Sequence, residues 1–135
     1  MTLDEFNNTK KQILDHITIT EKNISEKLLQ WPKIYSKYLS IYTNQSLSLN
    51  KLKVDLDDKY GKLYMEFKTN SRYDLKVAEI EYNIASNNEY TSLKKEYLEQ
   101  ESYTKFLESF LGMVKNMNYN MHDYVQLSIF LSGGR

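Results

Sequence analysis

From Pro32 to Lys68 the chain reads as one unbroken helix, and that stretch limits what the rest can become. At helical spacing Ile34, Tyr38, Ile41, Gln45, Leu49, Leu52, Leu56, Tyr60, Leu63 and Phe67 fall in a single stripe. The steps are mostly threes and fours, about 3.7 residues on average, which fits a helix and not the alternation of a strand. Pro32 suits a first helical position, where its missing N–H costs nothing. At about 1.5 Å per residue the helix spans roughly 50 Å, more than the width of a small domain. Its stripe therefore asks for a partner helix, from the same chain or from another copy.

Four glycines and one proline in 135 residues argue for helix over a turn-rich β fold. With 41% apolar residues and a mean hydropathy of -0.64, a single domain with a modest core is expected. The absence of cysteine excludes a disulfide framework, a thiolate nucleophile and a cysteine metal site. The start, MTLDEFNNTK, is acidic and polar rather than a signal peptide, and no run approaches about 18 apolar residues. A cytoplasmic protein without a membrane partner is the expectation.

In chain order, Thr2 with Glu5 reads as a capping box opening a first helix, Leu3 to Ile17. The β-branched run Ile17-Thr18-Ile19-Thr20 predicts an extended link, and a short helix is expected over 21–30. Trp31, just before proline, predicts a bend. After the long helix, Thr69-Asn70-Ser71 is a polar connection to a third helix over 73–85. Ser86-Asn87-Asn88 offers a cap for a fourth helix running to Met117, with Glu89 favourably placed in its first turn. That helix has a narrow apolar stripe at first (Tyr90, Leu93, Tyr97) and a wider one from Tyr103 to Met117, as if covered on more sides there. Asn118-Tyr119-Asn120 predicts a break, Met121 to Leu131 a last short helix, and Ser132-Gly133-Gly134 a glycine stop. The expected fold is all-α: an elongated subunit with one long central helix, a second long antiparallel helix and a short C-terminal helix. Residues 1–30 form an N-terminal helix and link, and residues 31–135 the main helical domain.

The last helix carries Met121, Tyr124, Val125, Leu127 and Phe130, more apolar surface than a loose tail should hold. An oligomer contact is the expected use, the alternative being that it only closes the monomer core.

Net charge is zero, so bulk charge recommends no polyanionic partner. Charge is nevertheless unevenly spread. Residues 59–76 hold Lys59, Lys62, Lys68, Arg72 and Lys76 against Glu66 and Asp74, whereas residues 79–101 hold six glutamates against Lys94 and Lys95. Lys59, Tyr60, Lys62, Tyr64, Phe67, Lys68, Arg72 and Tyr73 interleave cations with rings, the pattern that holds single-stranded nucleic acid by its backbone and its bases. Lys59, Lys62, Tyr64, Lys68 and Arg72 are the expected contacts. A solvated amphipathic face is the plainer reading of the same residues.

Catalytic and metal chemistry find no constellation. His16 and His122 lack ligands at metal-site spacing, and Gly61-Lys62 lacks the rest of a phosphate loop. Asp55, Asp57 and Asp58 lack the glycine and distal glutamate of a calcium loop. No enzyme, cofactor or metal is expected.

The ordered features resemble the UvsY family, recombination mediators of T-even-like phages and cyanophages. The resemblance lies in Trp31-Pro32-Lys33-Ile34-Tyr35-Ser36-Lys37-Tyr38-Leu39, similar to the start of that family's long helix, and in Lys59-Tyr60-Gly61-Lys62-Leu63-Tyr64, near its basic and aromatic segment. It continues in Asp74-Leu75-Lys76-Val77, in Ile84-Ala85-Ser86-Asn87, and in the terminus from Tyr119-Asn120-Met121 to Phe130-Leu131-Ser132-Gly133. It covers about residues 31–135; the first thirty match only as an acidic helix and a polar link. Where the family often has a second basic residue and a Tyr-Tyr-Ser/Thr-Gly stretch, this chain has Tyr64 or Phe67 and then Lys68-Thr69-Asn70.

The resemblance implies a ring-like homo-oligomer, hexameric or heptameric, joined through its C-terminal part. It implies binding to single-stranded DNA, to a single-strand-binding protein and to a RecA-like recombinase, which the mediator helps onto the strand. It points to Lys62 first and Lys59 next as DNA contacts. The alternative from the residues alone is a structural coiled-coil or adaptor protein with no nucleic-acid role.

Overall fold

A computed structural model describes residues 1–20, 22–70 and 74–133, and among these there is no strand. Four helices follow one another: α1 (Leu3–Ile17), α2 (Ile24–Asn70), α3 (Val77–Ala85) and α4 (Asn88–Leu131). The capping box opens α1 as expected: the Thr2 N–H donates to Glu5 Oε2 at 2.8 Å, and the Glu5 N–H donates to Thr2 Oγ1 at 3.1 Å. Thr18 then leaves the helix in extended conformation.

The long stripe is correct. All ten of its residues are buried or half-buried. Its start is not where expected, because α2 begins at Ile24 and carries Pro32 inside it. The separate short helix over 21–30 and the bend at Trp31 are therefore corrected. An interior proline costs a helix about 3 kcal/mol by removing one amide donor and crowding the preceding turn. Trp31 supplies the compensation: it is buried, and its Nε1–H donates to the Val114 carbonyl of α4 at 3.0 Å. Tertiary packing overrides a local preference here.

The second correction is at the other end. Asn118-Tyr119-Asn120 does not break the chain, and α4 continues for 44 residues to Leu131, so there is no separate C-terminal helix. Asparagine is a mediocre helix former, not a breaker. Met117 and Met121, one turn apart across this segment, both pack on the core and hold it helical. Gly133, with φ 75°, ends the run as a left-handed cap. The third helix is also shorter than expected, starting at Val77, where the Glu79 carboxylate accepts from the Lys76 N–H.

The chain divides into two compact units. The first comprises Met1–Asn44 and Tyr103–Arg135. Its core joins Ile13 of α1, Trp31, Ile34 and Tyr38 of α2, and Leu107, Phe110 and Val114 of α4. Phe6 stacks on Tyr103 with ring centres 4.2 Å apart, so α4 is indeed covered on two sides in its wide-striped half. The second unit, Gln45–Ser102, packs Leu63 of α2 against Ile80 and Ile84 of α3. Asn87 caps the start of α4, its Oδ1 accepting the Tyr90 N–H at 3.0 Å. Within each unit α2 and α4 run antiparallel, Trp31 meeting Val114 in the first and Gln45 meeting Gln100 in the second.

Two polar groups in the second unit differ in their satisfaction. Gln45 is buried, yet its amide donates to Gln100 Oε1 at 2.7 Å. The buried hydroxyl of Ser46 has no hydrogen-bond partner among the described residues. An unsatisfied buried hydroxyl costs about 1–3 kcal/mol, and alanine is the better helix former. Ser46→Ala is therefore expected to raise stability by about 0.5–1 kcal/mol, read as a higher urea midpoint with an unchanged slope. A lower midpoint would mean that the hydroxyl is in fact bonded.

Candidate nucleic-acid interface

The cationic residues singled out from the sequence sit in the second unit, on the last turns of α2. A helix turns about 100° per residue, so Lys59 and Lys62, three apart, share one flank of the buried stripe. Tyr64 and Lys68, four apart, share the other. Lys59 and Lys68 lie nine residues apart and hence about half a turn away from each other. The five residues do not converge on one face. Arg72 lies outside the described residues.

Neither leading lysine is uncompensated. Lys59 is ion-paired with Glu89 in the first turn of α4, a contact that holds the Glu89 carboxyl below the usual carboxylate range. Lys62 pairs with Asp58, one turn back on α2, at 2.9 Å. The hydrogen bond that Lys62 donates to Asp58, and then the Asp58 charge, push the Lys62 ammonium above its ordinary value. Both pairs are open to water, where such contacts contribute little and are readily exchanged for a better anion. Lys68 is exposed.

The rings are less available than their number suggests. Tyr64 is half-buried against the Leu63, Ile80 and Ile84 cluster. Tyr60 lies between Tyr64 and Tyr90, with ring centres 6.4 and 6.0 Å away. Tyr90 joins the group from α4, a contact that no local spacing signals. All three rings are half-buried against the Leu63, Ile80 and Ile84 cluster. The region suits weak phosphate contact from one flank more than base stacking.

The apolar tail is placed by the first unit. Met121 is buried in the core and Val125 is half-buried beside it, so these two expected oligomer residues also serve the monomer. Tyr124, Leu127 and Phe130 are 40%, 55% and 76% exposed. Ile129 and Leu131 add 48% and 74% on the same last turns.

Among the described residues no group of three or more His, Asp or Glu side chains is arranged to hold a metal ion. Among them, too, no helix is long and apolar enough to cross a membrane. Compared with family models, curated proteins and solved structures, the chain has no significant match to any of them.

Proposed function

We propose that the chain is a recombination mediator of the UvsY kind. It binds single-stranded DNA as a ring-like homo-oligomer and helps a RecA-like recombinase onto strands covered by single-strand-binding protein. It acts by binding alone, without catalysis or a cofactor. The observation that carries this reading is the exposed apolar end of α4, Leu127 and Phe130 above all, in a chain whose candidate strand contacts, Lys59, Lys62 and Lys68, are too few to hold a strand singly. The resemblance described above adds the partners.

A subunit offering two or three exchangeable lysines grips a strand weakly and with marked salt dependence. Copies held together present further grips at high effective concentration, and avidity adds about 10² to 10⁴ in affinity. Glu81 and Glu96, both exposed, are then available to a basic surface of the recombinase or of the next copy.

The test is fluorescence anisotropy of a labelled oligothymidylate across a salt series. Lys59→Ala with Lys62→Ala should weaken binding, each lost phosphate contact lowering the slope of log affinity on log salt by about 0.7. Glu89→Gln should do the reverse, because it releases Lys59 for the strand. Binding that ignores all three changes would remove Lys59 and Lys62 from the interface. A second reading, a structural adaptor, draws on the zero net charge and on both lysines being ion-paired. It wins if a stable oligomer fails to bind the oligonucleotide even at low salt.

A further inference from the structure

We propose that the cleft between α1 and α2 beside His16, in the first unit, is a binding site for a phosphate-type oxyanion. The site is separate from the Lys59 region and does not rest on the mediator reading.

The cleft measures about 500 Å³ and is lined by His16 of α1 and by Gln30, Lys33, Ile34 and Lys37 of α2. Lys33 and Lys37 stand one helical turn apart, an arrangement of like charges that a helix does not favour by itself. Among the described residues no carboxylate lies within ion-pairing reach of either. Lys37 is instead held by a neutral acceptor, donating to Gln12 Oε1 of α1 at 3.1 Å. Lys27 is held in the same way, donating to the backbone carbonyl of Asp15 at 3.1 Å. Neutral acceptors fix the ammonium groups in place and leave their charge unspent. In the second unit, by contrast, Lys59 and Lys62 each have a carboxylate.

His16 completes the lining. Its Nδ1 lies 2.6 Å from the hydroxyl of Tyr38, a side chain with no solvent exposure. Burial, and then the Asp15 charge, push the Tyr38 phenol up to about 12, so Tyr38 keeps its proton and can donate to Nδ1. With that bond the neutral ring carries its own proton on Nε2, where it is a further donor. Burial, followed by the charges of Lys27 and Lys37, keeps the imidazole below its ordinary value, against an opposing pull from Asp15. The other nearby acid is Glu26, which accepts from the Gln30 amide at 3.3 Å. An imidazole kept neutral by burial and by nearby cations is the group an incoming anion would let protonate. A phosphodiester of a bound strand and a compact free phosphate compound share this chemistry.

Having only two histidines makes the site directly testable in the full chain. The imidazole protons of His16 and His122 would be followed by NMR through a pH titration, first in chloride, then in sulfate at equal ionic strength. Sulfate stays dianionic over this range, and His122, exposed on α4, is the internal reference. Sulfate should raise the His16 midpoint by roughly half a pH unit, equivalent to about threefold tighter binding to the protonated form, and leave His122 in place. Lys33→Gln with Lys37→Gln should abolish that response and, through the lost Lys37 charge, move the chloride midpoint slightly up, burial and Lys27 still holding it below the ordinary value. Addition of oligothymidylate separates the sources: a matching His16 shift assigns the site to the strand backbone, and a shift with sulfate alone assigns it to a free compact anion. His16 and His122 moving together, or neither moving with sulfate, would overturn the proposal.

Discussion

Trp31→Ala should cost about 3–5 kcal/mol of stability, the largest loss expected from any single substitution in the first unit. Such a loss is a large share of the 5–15 kcal/mol or so that keeps an ordinary domain folded. Trp31 is 2% exposed and reaches from α2 to the backbone of α4, where its N–H meets the Val114 carbonyl. Removing the indole opens a cavity between the two helices and also leaves Pro32 without the contact that keeps its turn helical. Trp31→Phe separates the two effects. It keeps most of the apolar volume and drops the N–H, while the Val114 carbonyl retains the intrahelical bond that its place inside α4 provides. A loss of about 1–2 kcal/mol is expected for that change. Both values come from urea unfolding followed by far-UV circular dichroism. A loss under about 1 kcal/mol for Trp31→Ala would mean that α2 and α4 do not pack through this side chain.

Those two helices also mark what could be read from the chain beforehand. The stripe from Ile34 to Phe67 was legible because burial along a helix repeats every three or four residues, and nothing in the stretch opposes it. The α1 cap was legible because Thr2 and Glu5 carry both of its bonds within four residues. Pro32 and Asn118-Tyr119-Asn120 misled because each is a local preference of a few kcal/mol or less. Each is outweighed by contacts from residues far along the chain, Val114 for the first and the core around Met121 for the second.

The surroundings of the candidate interface were legible only in part. That Lys59 and Lys68 face apart follows from their spacing alone. Asp58, four residues before Lys62, was a legible partner too. Glu89 was not, since thirty residues and a helix reversal separate it from Lys59. Tyr64 looked available because it sits at the edge of the stripe, and α3 is what covers it. The cleft beside His16 had no sequence signature, because it depends on α1 folding back along α2.

The exposed end of α4 carries the other large effect. If the protein assembles as proposed, Leu127→Gln with Phe130→Gln should convert it to single copies and weaken oligothymidylate binding by about 10² to 10⁴. Burying a leucine or phenylalanine side chain in a contact contributes about 1.5–3 kcal/mol, so the pair supplies roughly 3–6 kcal/mol at each junction. Each 1.4 kcal/mol or so is tenfold in association, which gives the same two to four decades. Glutamine is chosen because it favours helix and adds no charge, so any loss of strand affinity comes from lost assembly and not from repulsion. The fold should be unaffected, since both side chains are more than half exposed and exposed substitutions shift stability by about 0.5 kcal/mol or less. Met121→Gln is the contrasting change: Met121 is 3% exposed, so a polar replacement there should unfold the first unit along with any assembly. Light scattering on a sizing column reads the mass, and circular dichroism reads the fold. Should the double variant at Leu127 and Phe130 keep the mass of the parent, or should the parent itself run as one copy, assembly through this end is excluded. The lysines of α2 would then have to hold a strand without help.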